Sequence, residues 1–585
     1  MRRTLTRLCL LSTVVFFSPR PAAAGGNEFP AGGTRNLGRG GSGFTRADDP
    51  NVMVRNPALL ADLWTGMAYS GVHLLLPDSC FQATGNYGWN VKNDGVVNFG
   101  EGPLVTNVAG AMQLDGTPLP SLGAEPYPNV CYSGPLPILP TIAVTLKLGP
   151  QWGIGLGFFP PDSAALGQWG NRDGTVNTPD GLRPNPTRWF RAHLNTSYFS
   201  GLAAVGYRPV DWLRFGVGFQ WALLAYSSTE FTRSVANLNI DSDVRVDVDG
   251  RDLFIPGIIA SVQANPIDEL DIALAFKWSD RVRSQARLDI TTSNWGAGEP
   301  FSYIDANGEM VSPTVLRPFR NENRSGDVNT PPIWVPQLSL GIRYAQRMYS
   351  RATNARWQAA KTAAGREVPD AMTSERWDIE ANAIVYFNGA NDRSYFTAQN
   401  QRVELQTVLP DGSPGSSAEV NVGQCVAEGG SDCARREVPS FIHGKTQLSL
   451  RLGGEYNVLL GILAVRAGLS YESNGQDPNN LNITNYQLGR TGLHLGATWR
   501  IGHRTDLSVA YVHFIQQRVA LTVNSRSPFR SSDPERDHVV TGENDGMARF
   551  AIADAADSVE GPLYANAGTF YYHLDVLSFS IAQHF

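Results

Sequence analysis

Apolar and polar residues alternate over many short stretches of the chain, and this period of two predicts β-strands with one apolar and one polar face. In the stretch QLSLRLGGEY, Leu448 and Leu450 fall on one face, whereas Ser449 and Arg451 fall on the other. The same alternation marks fourteen stretches, at residues 63–76, 138–149, 151–159, 187–208, 211–229, 250–264, 268–288, 333–347, 374–388, 443–456, 461–473, 486–501, 504–521 and 570–585. An even number of strands predicts an antiparallel barrel with both chain termini on one side.

The connections between these stretches differ in length in a regular way. Short connections lie at residues 149–150, 208–210, 265–267, 457–460 and 502–503, and long ones at 77–137, 160–186, 289–332, 389–442 and 522–569. Short and long connections mostly alternate, which is typical of outer-membrane barrels with short periplasmic turns and long external loops. Residues 348–373 depart from this pattern, and their Ala-rich sequence predicts a short helix on the periplasmic side.

The end of the chain supports a membrane barrel. Leu577, Phe579, Ile581 and Phe585 share one face of the last stretch, and a strand that ends in Phe resembles the signal read by the bacterial barrel assembly machinery. A soluble β-sandwich would also alternate, but its apolar faces would meet in a core. The predicted fold is all-β, a 14-stranded antiparallel transmembrane barrel in the bacterial outer membrane. We expect a monomer with periplasmic termini, in contact with outer-membrane lipid and lipopolysaccharide.

Composition adds a targeting signal and excludes some partners. A basic start, an apolar run at residues 8–17 and the sequence Ala22-Ala23-Ala24 predict a signal peptide over residues 1–24. Charged residues make up 17%, below the ~25% of soluble domains. The net charge of −6 provides no basic surface for nucleic acid, so no nucleic-acid partner is expected.

Four cysteines remain after the signal peptide, namely Cys80, Cys131, Cys425 and Cys433. An even count in an exported chain favours disulfides, with free thiols as the alternative. Because the cysteines fall in loop-like stretches, we favour the pairs 80–131 and 425–433. No Cys/His spacing indicates zinc, and we predict neither a metal nor a cofactor.

Residues 25–62 precede the first strand and are a candidate plug for the barrel, since fourteen strands enclose a passage that must be closed. Pro57 suits the first turn of a short helix that runs through Leu59, Leu60 and Ala61, and Asn56 is placed to cap that helix with its side chain. A disordered linker is the alternative, and the apolar sequence ALLADLW argues against it. We therefore divide the mature chain into a hatch at residues 25–62 and a barrel at residues 63–585.

A family resemblance supports this division. The segment resembles the N-terminal hatch of the bacterial outer-membrane long-chain fatty acid transporters in Asn27-Glu28-Phe29, Leu37-Gly38-Arg39, Asp48-Asp49 and Arg55-Asn56-Pro57-Ala58-Leu59. That family includes uptake channels for aromatic hydrocarbons such as toluene. Residues 207–213 and 468–511 also resemble the family, in a strand turn and in the C-terminal third. The resemblance implies capture by external loops, binding in the lumen, a shift of the hatch, and sideways exit at a kink in the third strand.

The resemblance and the strand pattern together suggest site residues. Gly153, Gly155 and Gly157 of the third strand should face the lumen, either as a lateral portal or as ordinary small lumenal residues. The candidate ligand-binding residues are Phe29, by resemblance, and the inward cations Lys147, Lys277, Arg343, Arg451 and Arg466, because Arg or Lys facing lipid at the midplane costs ~2–4 kcal/mol. A lumenal cation would meet a fatty-acid carboxylate. The alternative is that these cations form ion pairs with inward Asp378, Glu380, Glu455 and Glu472.

The expected function is uptake of hydrophobic compounds, with long-chain fatty acids as the first candidate and aromatic hydrocarbons as the alternative. A barrel enzyme of lipase type is the rival from another class. It is disfavoured because no His is followed two residues later by Ser and no G-x-S-x-G motif is present. His494 and Ser470 can face each other, but no third partner is evident. A structural barrel would need no hatch. We therefore expect that the protein is not an enzyme.

Overall fold

The computed structural model contains a closed β-barrel. It describes residues 32–83, 112–113, 126–160, 167–179, 181–188, 192–232, 244–292, 303–304, 310–311, 315–322, 325–332, 335–348, 370–391, 393–398, 401–408, 414–422, 437–441, 444–475, 489–521 and 568–585. Phe29, Cys425, Cys433 and the predicted signal peptide lie outside the described residues, as does most of the predicted Ala-rich helix.

Fourteen strands form the wall within the described part of the chain. They are β1 Met67–Ala83, β2 Ile138–Leu148, β3 Trp152–Phe159, β4 His193–Val210, β5 Leu213–Thr232, β6 Val244–Ile267, β7 Leu270–Ser279, β8 Gln337–Arg347, β9 Glu375–Tyr386, β10 Gln447–Leu459, β11 Leu463–Glu472, β12 Arg490–Ile501, β13 Thr505–Leu521 and β14 Gly568–His584. Each pairs antiparallel with the next, and β14 pairs with β1 to close the ring. The predicted all-β, 14-stranded antiparallel barrel is confirmed.

Shorter elements lie in the connections. The additional strands are Met112–Gln113, Asn129–Cys131, Gly167–Gln168, Thr175–Thr178, Gly181–Pro184, Arg281–Thr292, Tyr303–Ile304, Met310–Val311, Val315–Glu322, Ser325–Pro332, Arg393–Ala398, Gln401–Val408, Pro414–Val422 and Glu437–Phe441. The helices are α1 Thr34–Gly38, α2 Val52–Arg55 and α3 Ala371–Ser374, with 3-10 helices at Pro57–Asp62 and Asn388–Asn391. Among the residues described, no helix is long and apolar enough to cross a membrane.

The burial pattern of the strands shows which face is apolar. Along β10, Leu448, Leu450 and Leu452 are each at least 40% exposed, whereas Ser449 and Arg451 are buried. The aromatic residues exposed at the end of the barrel with the short turns are Trp152, Trp212, Tyr344, Trp377, Tyr456 and Trp499, of which Tyr344 and Trp377 flank the longer connection at 348–373. A continuous apolar band with an aromatic girdle is the outer surface of a membrane barrel, because such a band is not left in water. The prediction that Lys277, Arg343, Arg451 and Arg466 point inward is confirmed by their burial.

Candidate functional site

Residues 32–62, here called the internal segment, fill the barrel interior. Every residue of this segment is buried except Ala47, Arg55 and Asp62, which are half-buried. Helix α1 contacts β1 and β11 to β14, and the 3-10 helix Pro57–Asp62 contacts β2 to β6. Val52, Met53, Leu59 and Leu60 share an apolar cluster with inward side chains of the wall. The internal segment is therefore packed against the wall on two sides.

Glycines line the inner wall where the internal segment approaches most closely. A Cβ atom on Gly496 would lie 2.9 Å from the Cα atom of Gly38, and one on Gly206 would lie 2.7 Å from the Pro57 carbonyl oxygen. Both distances are shorter than van der Waals contact, so a side chain cannot fit without displacement of the segment. The other inner-wall glycines of this kind are Gly153, Gly155, Gly216, Gly341, Gly453 and Gly468.

This set changes the interpretation of the third-strand glycines. Gly153 and Gly155 face the 3-10 helix and Met53, so they make room for the internal segment. Gly157 instead lies against Ala143 and Phe159 of the wall. Sequence reasoning singled out only these three glycines. Inward placement within an alternating strand is the signal that would have found the others.

The predicted turn of the internal segment is formed, with one correction. Pro57 begins the 3-10 helix Pro57–Asp62. The prediction that Asn56 caps this helix with its side chain is wrong, since no such bond forms. Its side-chain amide instead donates to the Phe44 carbonyl oxygen and to Gln263 Oε1, both at 3.0 Å. Asn56 therefore ties the turn to the wall and to another part of the segment through its amide nitrogen.

Buried ion pairs join the internal segment to the wall. The Arg39 guanidinium contacts Asp378 with both terminal nitrogens, at 2.7 and 3.1 Å, and lies 3.5 Å from Glu380. Arg46 donates to Asp378 and to Glu455. Arg35 pairs with Asp506 of β13. Because opposite charges in this interior are weakly screened, these pairs fix the position of the segment. Of these arginines, only Arg39 had been predicted, as a hatch residue.

The segment also contains its own acidic pair. Burial opposes ionisation of Asp48, but the guanidinium groups of Arg46 and Arg35 outweigh it and lower the pKa of this carboxyl. Burial and the adjacent Asp48 carboxylate raise the pKa of Asp49. Asp49 accepts hydrogen bonds from the backbone and side chain of Asn51, at 2.8 and 3.0 Å. Arg55, a predicted hatch residue, lies 3.8 to 3.9 Å from both carboxylates, so this half of the segment is held by internal contacts.

The predicted lumenal arginines are paired with carboxylates. Arg343 contacts Asp271 at 2.9 Å and Asp378 at 2.8 Å, and it also pairs with Glu375. Arg466 lies 2.5 Å from Glu455. These contacts match the ion-pair alternative of the sequence analysis. They make Arg343 and Arg466 part of the network that holds the internal segment.

The predicted lysines lie on β2 and β7. Lys147 is half-buried and donates to the Ala61 carbonyl oxygen at the end of the 3-10 helix. Asp62, next along the chain, lies 2.8 Å from Arg214 and 3.5 Å from Arg208. Lys277 is buried on β7. The structure therefore does not bring the five predicted cations together, because Lys147 lies beside the turn between β2 and β3, whereas Arg343, Arg451 and Arg466 lie on β8, β10 and β11.

A second apolar cluster lies inside the barrel on the side of α1. We call it the apolar lumenal cluster, and its buried members are Leu37, Leu75, Leu139, Ala510, Val512, Phe514, Leu574 and Val576, with Tyr572 packed against them. Leu37 belongs to the internal segment, and the others belong to β1, β2, β13 and β14. The strand pattern did not reveal this cluster, because these inward positions interrupt the polar alternation with apolar residues.

Two arginines border the apolar lumenal cluster. The guanidinium carbon of Arg490 lies 4.4 Å from the ring centre of Phe514. Glu472 lies 2.8 Å from Arg490 and 3.7 Å from Arg451. These contacts place two cations around one carboxylate at the border of an apolar region. Arg451 was predicted as a ligand-binding residue, whereas Arg490 was not, although it lies within the predicted strand at 486–501 and on the same face as His494.

The suspected Ser–His pair is present. Ser470 Oγ lies 2.8 Å from His494 Nε2, and His494 Nδ1 lies 2.8 Å from the Leu37 carbonyl oxygen. The third member of this group is thus a backbone carbonyl of the internal segment. In a hydrolase triad, the third member is instead a side chain that orients the imidazole ring. The pair links the wall to α1.

The third strand is short. β3 pairs with β2 as far as Phe158 and with β4 as far as Phe159, whereas β2 and β4 extend beyond this point, to Ile138 and His193. Pairing with β4 is also present at Gly167–Gln168, and residues 161–166 between these segments lie outside the described residues.

A groove on the outer face lies next to Phe158. Its volume is about 770 Å³, and its lining includes Ile142, Phe158 and Trp221 together with Tyr69 and Leu202. The lining residues belong to β14 and to β1 to β5, so the groove crosses six neighbouring strands of the wall.

One predicted cysteine pair lies within the described residues. Cys80 on β1 and Cys131 form a disulfide bond, and the two residues face each other across paired strands. This bond tethers the connection between β1 and β2 at its base.

Comparisons with known proteins identify the fold. No protein-family model and no curated protein sequence matches the chain. A FadL homologue of Pseudomonas aeruginosa superposes with a TM-score of 0.58 at 14% identity, covering 96% of this chain and 100% of that chain. The P. putida toluene transporter TodX superposes with a TM-score of 0.50 at 10% identity, covering 96% and 99%. The closed barrel and its apolar outer band define a transmembrane β-barrel of the bacterial outer-membrane type. At these identities the similarity establishes the fold, which is that of the FadL-type barrels.

Proposed function

We propose that the protein belongs to the FadL/TodX family of outer-membrane channels and takes up hydrophobic compounds, with residues 25–62 acting as a hatch. The observation that carries this proposal is the apolar lumenal cluster. Water-filled barrel channels have polar interiors, so apolar side chains gathered in a lumen favour an apolar ligand. Leu37 belongs both to this cluster and to the hatch, and a ligand bound there would therefore touch the hatch directly.

Long-chain fatty acids are our first candidate ligand. An acyl chain would contact Phe514 and its neighbours, and Arg490 and Arg451 would attract the carboxylate, since guanidinium groups bind carboxylates with charge-assisted hydrogen bonds. Aromatic hydrocarbons are the alternative, supported by the similarity in fold to a protein described as a toluene transporter. The two ligands differ in charge, which makes the arginines the discriminating feature.

The proposed route has four steps. External loops capture the compound, the lumen binds it, the hatch shifts, and the compound leaves sideways through the wall. The groove beside Phe158 supports lateral exit at the third strand. Contact with lipopolysaccharide, delivery by the barrel assembly machinery and a monomeric state stay predictions.

The ligand proposal is tested by binding to the purified protein in lipid nanodiscs. We expect palmitate to bind, and Arg490→Met to weaken palmitate binding about tenfold while methyl palmitate binding is unchanged, because the ester lacks the charge that the arginine recognises. Arg283→Met, on an exposed outer position, is the matched control. Toluene binding without palmitate binding would favour the aromatic alternative. Conduction of a polar solute with no binding of either compound would refute the proposal.

A further inference from the structure

We propose that the outer face of the barrel carries a binding site for a divalent transition-metal ion, formed by His513, His573 and Asp575. The site is separate from the lumen and from the proposed transport route. Within the part of the chain that the structure describes, ligand atoms of these three residues lie within 4.8 Å of one another.

The strand register creates this arrangement. His513 on β13 lies directly opposite Asp575 on β14, and His573 precedes Asp575 by two residues, so all three side chains point to the same face. That face is the outer one, because the intervening Leu574 and Val576 are buried in the apolar lumenal cluster. The sequence motif H-x-D therefore acquires its third member only through strand pairing.

The distances suit a metal ion. His513 Nδ1 lies 2.9 Å from one Asp575 oxygen, His573 Nε2 lies 3.6 Å from the other, and the two ring nitrogens lie 3.4 Å apart. Zinc bonds of ~2.0–2.1 Å in a tetrahedron separate neighbouring ligand atoms by about 3.3 Å. The two rings are inclined at 66°, so their nitrogens converge instead of stacking.

The type of metal follows from the ligands. Two imidazole nitrogens and one carboxylate are the donors that Zn²⁺ and related transition metals prefer, whereas Ca²⁺ and Mg²⁺ prefer oxygen ligands alone. Tyr511 lies outside this ligand triangle, and its hydroxyl donates to Asp575 at 2.8 Å. Such a bond orients a metal-binding carboxylate. With three protein ligands, one tetrahedral position stays open to an oxygen from outside.

The height of the site indicates the source of that oxygen. Asp575 lies nine residues before His584 along β14, which is about 30 Å of strand and about 23 Å of height at a tilt of ~40°. The apolar band of an outer-membrane barrel is ~25 Å tall. The site therefore lies at the outer boundary of that band, where water or an anionic headgroup can complete the coordination.

The test uses the full-length mature protein without a polyhistidine tag, stripped with a chelator and titrated with Zn²⁺ against a chromophoric competitor. We expect one zinc ion per chain. His513→Ala and His573→Ala should each weaken binding at least about tenfold, and Tyr511→Phe should weaken it about tenfold through the carboxylate. His503→Ala, at an exposed turn residue, is the matched control and should bind as the wild type does.

Two results would overturn the proposal. One is the absence of stoichiometric zinc binding by the wild type. The other is binding that is unchanged in both histidine variants, which would place the ion elsewhere. If a variant fails to fold, as judged by heat-dependent gel mobility, Co²⁺ bound to the wild type decides instead. Its visible spectrum should show four-coordinate nitrogen and oxygen ligation, and a six-coordinate spectrum would contradict the site.

Discussion

Replacement of Asp378 by Asn should loosen the internal segment while the wall stays intact. The Asp378 carboxylate forms ion pairs with the guanidinium groups of Arg39 at 2.7 Å and Arg343 at 2.8 Å, and also with that of Arg46. Removal of one partner from a buried ion pair typically costs about 3–5 kcal/mol, because the other charge is left without compensation. The Asn carbonyl still accepts one hydrogen bond, so we expect about 3 kcal/mol, which is roughly a hundredfold change in the equilibrium between attached and detached segment.

Hydrogen exchange measures this change. Amides of residues 32–62 should exchange up to about a hundredfold faster in Asp378→Asn, whereas amides of the wall strands should keep their protection, because their ladder does not involve the segment. Asp280→Asn is the matched control. Its partner Arg283 has a 69% exposed side chain, and such surface pairs contribute ~0–1 kcal/mol. If segment exchange in Asp378→Asn stays close to that of the control, the ion pairs do not hold the segment.

Three further changes have defined outcomes. Gly153→Val should displace the 3-10 helix and so raise the protease sensitivity of the internal segment. Gly389→Val is the control, because Gly389 has open space around it and its replacement should leave that sensitivity unchanged. If the two variants are equally sensitive to protease, Gly153 is not needed for the close approach of the segment. Cys131→Ser should lower the unfolding free energy by about 4 kcal/mol under oxidising conditions, because the disulfide closes a loop between cysteines that are 51 residues apart. The same change should abolish the effect of reductant on urea unfolding. Leu452→Arg, in the middle of the lipid-facing band, should make the free energy of folding into bilayers less favourable by ~2–4 kcal/mol. Ile462→Arg, at a periplasmic turn, should make it less favourable by only ~0–1 kcal/mol. Equal costs for the two variants would contradict the assigned lipid face.

Much of the barrel was predictable because its signal is local. Alternation within each strand reports the difference between lipid and lumen at every second residue, as Leu450 and Arg451 show. The lengths of the connections then indicate which end of the barrel carries the short turns and which end carries the long loops. Pro57 likewise begins its short helix because a fixed φ angle suits a first helical turn.

The candidate site was predictable only in part. Arg451 could be placed in the lumen from its position in a strand, but its neighbours Glu472 and Arg490 belong to two other strands. Asn56 was expected to cap a helix with its side-chain oxygen, but no capping bond forms, and its amide nitrogen donates to Phe44 and Gln263. Local propensity cannot anticipate a hydrogen bond to a residue two hundred positions away.

By itself, the sequence determined the strand number, the inward and outward faces, the segment that precedes the wall and the side that carries the long loops. Each of these depends on hydrophobic period, chain length or turn residues, which are properties of neighbouring positions. Only the tertiary structure decided that Arg46 meets Asp378, that Gly206 lies against Pro57, and that His513 joins the H-x-D motif of β14. Those contacts depend on the register of strands distant in sequence and on the path of a segment through the lumen, and no local pattern encodes either.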